Sequence, residues 1–272
     1  MDPTVAQLSE WARAAGSILR SGLGSDFQID RKGEIDLVTE MDRRSEDYLI
    51  GQVRAHFPEH AIVSEEAGSL APPSGSSLAP PSGGRLAGDA AACWYIDPLD
   101  GTMNYAHGVP IFAVSIAWAV ADQIQLGVVY DPMQDELFSA ERGRGAWLNG
   151  QPMRVRAQSV LDQAFLGTDF PYDLRRTTFN NIQLFGRLLH RAQSVRRLGS
   201  AALGLAYLAA GRFDGYWEIR LQPWDLAAGA LLVEEAGGLV TAFDGDANYL
   251  KPPYGIVAAN RALYPYLFEA LH

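Results

Sequence analysis

Residues 93–110 read CWYIDPLDGTMNYAHGVP, and the reading of the whole chain turns on them. The stretch opens as a short apolar run, Cys93-Trp94-Tyr95-Ile96, of the kind that forms a buried strand. It then meets Asp97-Pro98, where the strand is expected to break, because proline cannot donate to a central ladder. Two carboxylates, Asp97 and Asp100, lie across that break, and Gly101 and Thr102 follow with a close-approach backbone and a hydroxyl. Hard cations such as Mg²⁺ take oxygen ligands, usually a few carboxylates plus substrate phosphate, so the stretch suits a divalent-cation site for phosphate chemistry. It equally suits an Asp-Pro turn capped by Asp and Gly. The remaining acids decide between the two.

Working outward, the chain of 272 residues is long enough for one large core or two halves sharing a layered structure. Its 48% hydrophobic and 20% charged content is that of a soluble globular protein. A net charge of −10 argues against nucleic acid held by a basic field, so no nucleic-acid partner is expected. Cys93 is the single cysteine, which excludes an internal disulfide and fits a reducing, cytoplasmic setting. The N-terminus lacks a basic start followed by an apolar core, and no run is long enough to span a membrane.

Residues 4–20 carry Val5, Leu8, Trp11, Ala15, Ile18 and Leu19 at helical spacing, with Thr4 as N-cap. Residues 34–39 read as a short strand, and Leu49, Ile50, Val53 and Phe57 mark a helix with Asp42 near its start. Residues 61–64 form a second short strand ending at Glu65-Glu66. Within residues 69–90 an eight-residue unit, SLAPPSG plus one residue, occurs twice. Its Pro/Ser/Gly content reads as a flexible loop, either a flap at the site mouth or a tolerated surface insertion. Residues 111–120 and 123–130 read as strands of a tight hairpin through Ala121-Asp122. The Gly-rich turn at 142–145 has no phosphate-loop spacing and is read as another hairpin.

The second half begins with a strand over 164–168, then a helix over 179–190 and a strand over 194–198. Gly199-Ser200 caps a small-residue helix over 201–210, and a strand over 213–219 carries Glu218. A helix over 226–236 follows with Asp225 at its N-cap, then strands over 239–243 and 255–259 and a terminal helix from Leu263. Asp42, Glu65, Asp97, Asp100 and Asp225 all fall where a strand ends or a helix begins. Ligands of layered α/β folds bind at such edges.

On these residues the chain resembles the inositol monophosphatase family, Mg²⁺-dependent, lithium-sensitive sugar-phosphate phosphatases. The match lies in Asp36-Leu37-Val38-Thr39 with Asp42, in Ser64-Glu65-Glu66 and in residues 94–104. It continues in Gly199-Ser200-Ala201-Ala202 and in Trp224-Asp225 followed by Glu235-Ala236-Gly237-Gly238. The resemblance implies an α/β fold of the α+β layered-sandwich kind, with alternating layers of helices and mostly antiparallel or mixed sheets. It divides into an N-terminal half, 1–160, holding most metal ligands, and a C-terminal half, 161–272, holding substrate contacts.

It further implies two to three Mg²⁺ per active site. Glu65, Asp97 and the Leu99 carbonyl would hold one, and Asp97, Asp100 and Asp225 a second, with a weaker third on Glu65. Thr102 with Asp42 would orient a water, while the Gly101-Thr102 backbone and Asp100 would meet phosphate and Glu218 and the Ala201 backbone would grip polyol hydroxyls. The implied activity is hydrolysis of inositol 1-phosphate by a homodimer, with no membrane contact. Fructose-1,6-bisphosphatase, histidinol-phosphate phosphatase or a regulatory scaffold with the same fold are the alternatives, since some bacterial relatives also bind transcription machinery. The chain departs from the family in its longer Pro/Ser repeat and in Arg220 and Gln222, where some animal relatives carry a histidine at the latter position. Strand alternation would put Arg220 on the face of Glu218 if the strand runs that far.

Overall fold

The computed structural model describes residues 2–32, 37–73, 92–171 and 174–272. Helix α1 (Val5–Gly22) starts at a capping box, in which Thr4 accepts the Gln7 amide and Gln7 accepts the Thr4 amide. The antiparallel pair β1 (Ile29–Arg31) and β2 (Leu37–Thr39) leads straight into α2 (Glu40–His56). Then come β3 (Ala61–Ser64), β4 (Gly68–Leu70), β5 (Ala92–Asp100), the short α3 (Thr102–Ala106), β6 (Ala113–Val120) and β7 (Gln123–Asp131). The hairpins β8 (Glu136–Glu141), β9 (Gly145–Leu148) and β10 (Gln151–Pro152) complete an eight-stranded sheet ordered β10-β9-β8-β7-β6-β5-β3-β4. Among the described residues its one parallel pair is β3 with β5.

The second sheet is built from β11 (Phe165–Thr168), β12 (Ser194–Arg196), β13 (Gly215–Glu218), β14 (Gly238–Ala242) and β15 (Ile256–Asn260). Interleaved with these strands are α4 (Ile182–Leu189), α5 (Ala201–Ala209), α6 (Pro223–Glu235) and, last, α7 (Tyr264–Leu271). The order is β12-β11-β13-β15-β14, with β11 parallel to both neighbours and the rest antiparallel. Three apolar cores follow from this arrangement. One lies between α1/α2 and the large sheet, one holds α5 and α6 between the two sheets, and one packs α4 and α7 on the outer face of the small sheet. Helix, sheet, helix, sheet, helix is the α+β layered sandwich expected from the sequence. Because α6 is covered on both sides, its residues 226–233 are buried all round rather than along one stripe.

The central strand shows how the layers are locked. Trp94 and Ile96 of β5 point into the α1/α2 core, while Cys93 and Tyr95 point to α5/α6, the period of two that a strand imposes. Contrary to the expectation, β5 does not stop at Pro98. It runs on to Asp100, and the pairing with β6 shifts register between Asp97 and Asp100. The bulge takes Pro98 out of the ladder, which is how a sheet tolerates proline.

Other boundaries also move. Helix α6 begins at Pro223 with Gln222 as N-cap, so Asp225 is not the cap but the third helical residue, its carboxylate returning to the cap backbone. Thr39 likewise caps α2, and Asp42 is its third residue. Helix α4 starts at Ile182 rather than 179, because Asn181 is left-handed (φ 69) and its buried amide bridges Thr168 Oγ, the Asp169 carbonyl and Trp217 Nε1. Ser69 and Leu70, read as loop, pair with β3 in β4. The hairpin through Ala121 and Asp122 is as expected, both residues having positive φ. Most of the Pro/Ser repeat (74–91) and Asp36 lie outside the described residues.

Candidate active site

The bulge in β5 turns the backbone so that Asp97 and Asp100 sit at the sheet's mouth. Asp97 Oδ1 accepts the Leu99 amide at 3.0 Å, and Ser45 of α2 fixes the bulge by donating to the Pro98 carbonyl at 2.9 Å. Gly101 then turns the chain into α3 at φ 98, where a Cβ would lie 3.0 Å from the Ile111 carbonyl oxygen and 3.1 Å from that of Gly199. Asn104 closes the same corner by donating to the carbonyls of Ile111 and Leu198, both at 2.8 Å.

Two helix N-termini converge on this corner. Asp100 accepts the Ser200 hydroxyl, the Ala202 amide at 2.8 Å and the Ala201 amide at 3.3 Å, at the start of α5. Asp225 sits in the first turn of α6 and accepts the Gln222 amide at 2.7 Å. A carboxylate is favoured at either place by the helix dipole and the free amides. What is unfavourable is their number. Burial pushes Asp97 well above the ordinary carboxylate range, and the charges of Glu65, Asp100 and Asp225 push it further. Burial raises Asp100 to about 6 even against the hydrogen bonds it accepts from the Ser200 hydroxyl and the Ala202 and Ala201 amides. Asp225 rises to about 7, through burial and the Asp100 charge, while a bond with Asp97 works the other way.

The third contribution comes from α2 and the β3–β4 turn. Asp42 is fully buried, and its Oδ2 accepts both the amide (2.8 Å) and the hydroxyl (2.5 Å) of Thr39. Its Oδ1 faces Thr102 Oγ at 2.9 Å, and the same hydroxyl lies 2.9 Å from the Leu99 carbonyl. Glu46 Oε1 accepts the Ser64 hydroxyl and the amides of Glu66 (3.0 Å) and Ala67 (3.1 Å), which holds the turn carrying Glu65 and Glu66 in place. Oxygens of Asp42, Glu65 and Glu66 lie within 4.8 Å of one another. Burial raises Glu65 to about 8, with Glu66 and Asp225 adding to it and Lys32 opposing. Lys32 Nζ is 3.0 Å from Glu65 Oε1 and also donates to Glu66. An open cleft of ≈ 590 Å³ lies here, lined in part by Asp30, Arg31, Lys32, Arg43, Glu65 and Glu66.

The five acids read at element junctions, Asp42, Glu65, Asp97, Asp100 and Asp225, are thus placed. Asp97, Asp100, Asp225 and Glu65 act on one another electrically, and Asp42 meets Thr102 and Glu65. The Ala201 amide is bonded to Asp100. Glu218 is buried at the end of β13 and accepts the Tyr216 hydroxyl. Since β13 ends there, the alternation argued for Arg220 does not extend to it.

Three participants were not read from sequence. Glu66 joins Asp42 and Glu65, Lys32 bridges the two glutamates, and buried Asp169 accepts the Gly199 amide at 2.9 Å with Arg197 Nε 3.0 Å away. The Glu65-Glu66 pair signalled the first, whereas Lys32 and Asp169 approach only through the fold. The donor set is entirely oxygen and mostly carboxylate, in a setting that penalises their ionisation. That fits a hard divalent cation and does not fit a site built for thiolate-seeking metals.

The family model described as the inositol monophosphatase family matches residues 1–272. Nus factor SuhB of Escherichia coli (strain K12) is 42% identical over 251 residues, covering 92% of this chain and 88% of that protein. Inositol-1-monophosphatase of Synechocystis sp. is 42% identical over 264 residues, covering 97% and 86%. The solved structure of inositol monophosphatase from Anabaena (Nostoc) sp. superposes with a TM-score of 0.83 at 41% identity, covering 97% of this chain and 92% of that one.

Proposed function

The chain belongs to the inositol monophosphatase family, and from that premise we propose that it is a Mg²⁺-dependent phosphomonoesterase acting on inositol 1-phosphate. The observation that carries the reading is the meeting of Glu65, Asp97, Asp100 and Asp225 in one corner, all four raised by burial and three of them, Glu65, Asp97 and Asp225, raised further by neighbouring carboxylates. Four such carboxylates are stable together in ionised form only with compensating positive charge. Glu65, Asp97, Asp100, Asp225 and the Leu99 carbonyl would hold two to three Mg²⁺, with Glu66 beside them. Bound divalent cations supply charge neutralisation for phosphate and make water acidic enough to ionise near neutral pH.

The chain's own groups do the positioning. The Thr102 hydroxyl gives its one proton to Asp42 Oδ1 or to the Leu99 carbonyl, both at 2.9 Å. Its oxygen is left to accept from the attacking water and aim it. The backbone at Gly101 and Thr102, opening α3, donates to phosphate oxygens, and Glu218 takes a polyol hydroxyl. Cys93 is no nucleophile, since it is fully buried and burial pushes its thiol up to about 12. The active form is proposed to be a cytoplasmic homodimer, which sizing by light scattering would check.

A second reading has its own support, because the 42%-identical Escherichia coli relative is named a Nus factor. A regulatory role of that kind could stand with or without the hydrolysis. One experiment separates them. Phosphate release from D-myo-inositol 1-phosphate is measured with and without Mg²⁺, for wild type and Asp100→Asn. Turnover that needs Mg²⁺ and vanishes in the variant is expected. Silence on this ester, on fructose 1,6-bisphosphate and on histidinol phosphate would overturn the phosphatase reading and favour the regulatory one.

A further inference from the structure

Lys32 follows β1 and sends its side chain into the acidic cluster rather than out to solvent. Its side chain is 24% exposed, with Nζ 3.0 Å from Glu65 Oε1 and in a second bond to Glu66 Oε1. These two oxygen donors belong to the trio with Asp42 whose carboxylate oxygens lie within 4.8 Å of one another. The ammonium also acts on Asp42 and Asp225 from there. A positive charge therefore already stands where the carboxylates of three residues converge. The neighbouring cation Arg43 is taken up elsewhere, by Asp30 at 2.7 Å.

An ammonium and a Mg²⁺ cannot both use the same carboxylate oxygens. Mg²⁺ requires near-octahedral oxygen coordination at about 2.0–2.1 Å, so an Nζ bonded to Glu65 and Glu66 blocks lone pairs and repels the incoming ion. Lysine suits a reversible occupant, since its charge is compact and its stem has four rotatable carbons. We propose that Lys32 is an intramolecular counter-ion occupying the Glu65–Glu66 end of the cluster, that a divalent cation must displace it, and that it thereby sets the cation affinity of this end. The inference rests on the reading of Glu65 as a metal ligand.

The test is calorimetric titration of the chelator-treated full chain with Mg²⁺ at pH 9, where protons compete least. Wild type, Lys32→Gln, Lys32→Ala and Lys32→Arg are compared, with circular dichroism to check that each is folded. Two partly exposed charge pairs are together worth enough to make binding roughly tenfold tighter in Lys32→Gln and Lys32→Ala. Lys32→Arg, which keeps the charge, should stay within about threefold of wild type. Affinity that is unchanged or weaker on removing the lysine charge would overturn the inference while leaving the metal site standing. No Mg²⁺ binding by any form would overturn the metal site and the inference with it.

Discussion

Thr102 Oγ lies 2.9 Å from Asp42 Oδ1, which joins the first turn of α3 to the first turn of α2 across the central strand's end. The other Asp42 oxygen is taken by the amide and hydroxyl of Thr39, so Oδ1 is the oxygen that faces Thr102. Geometry of this kind aims a hydroxyl. Thr102→Val should lower kcat by about 10²–10⁴, the range for losing a positioned proton-transfer group, with KM little changed. Thr102→Ser keeps the oxygen and should retain most activity. Equal loss in Ser and Val would show that the methyl packing, and not the hydroxyl, matters.

The clustered acids predict a metal-dependent stability. After chelation, Mg²⁺ should raise the melting temperature, because binding to the folded state alone adds RT ln(1 + [L]/Kd). Asp97→Asn removes the acid on which the charges of Glu65, Asp100 and Asp225 all bear. It should therefore melt higher than wild type without metal, by a few degrees for about 1 kcal/mol, and gain less from Mg²⁺. A chelated Asp97→Asn that melts below wild type would mean the carboxylate's hydrogen bond to Leu99 outweighs the repulsion.

How much of this was legible beforehand differs by feature. The helix and strand order, the hairpin turns and the five acids could be read because periodicity and turn residues are local properties. Residues 226–233 illustrate the limit, since a helix buried on every side has no amphipathic stripe to mark where it starts. The start was set instead by Pro223 and by a capping box between Gln222 and Asp225. Pro98 misled in the opposite direction. Proline ends a strand unless a bulge removes it from the ladder, and the bulge depends on β6 and on Ser45. Lys32 and Asp169 were invisible for a third reason, as their partners Glu65 and Gly199 are 33 and 30 positions away and no spacing links them.

The same acids fix the sign of the pH dependence without metal. Glu65 at about 8, Asp225 at about 7 and Asp100 at about 6 all lie above unfolded carboxylates near 4. Between roughly pH 4 and pH 8 the folded form then binds more protons than the unfolded one, so stability falls as pH rises. The stability these groups confer is fully present below the unfolded values and lost through the folded ones. Urea midpoints at pH 5, 6.5 and 8 should decrease in that order for chelated protein. With saturating Mg²⁺ the decline should flatten, because the cation takes the place of the protons. A chelated midpoint that climbs from pH 5 to pH 8 would contradict the clustering.

Gly127 of β7 controls how closely α6 can approach the large sheet. A Cβ there would lie 3.0 Å from the Ala228 carbonyl oxygen and 3.1 Å from its Cα, both backbone atoms of a helix enclosed between two sheets. Neither can retreat without moving α6, and α6 carries Asp225. Gly127→Ala should therefore cost about 1–3 kcal/mol, the range for overpacking a filled core. Displacing Asp225 should also weaken Mg²⁺ binding, although residue 127 is not among the acids. Gly51→Ala is the control, since a Cβ there meets nothing within 4 Å and the site is helical. Alanine's better helix propensity should make it neutral or slightly stabilising, by up to about 1 kcal/mol. Loss of stability without loss of Mg²⁺ affinity in Gly127→Ala would show that α6 shifts while Asp225 stays anchored through Gln222.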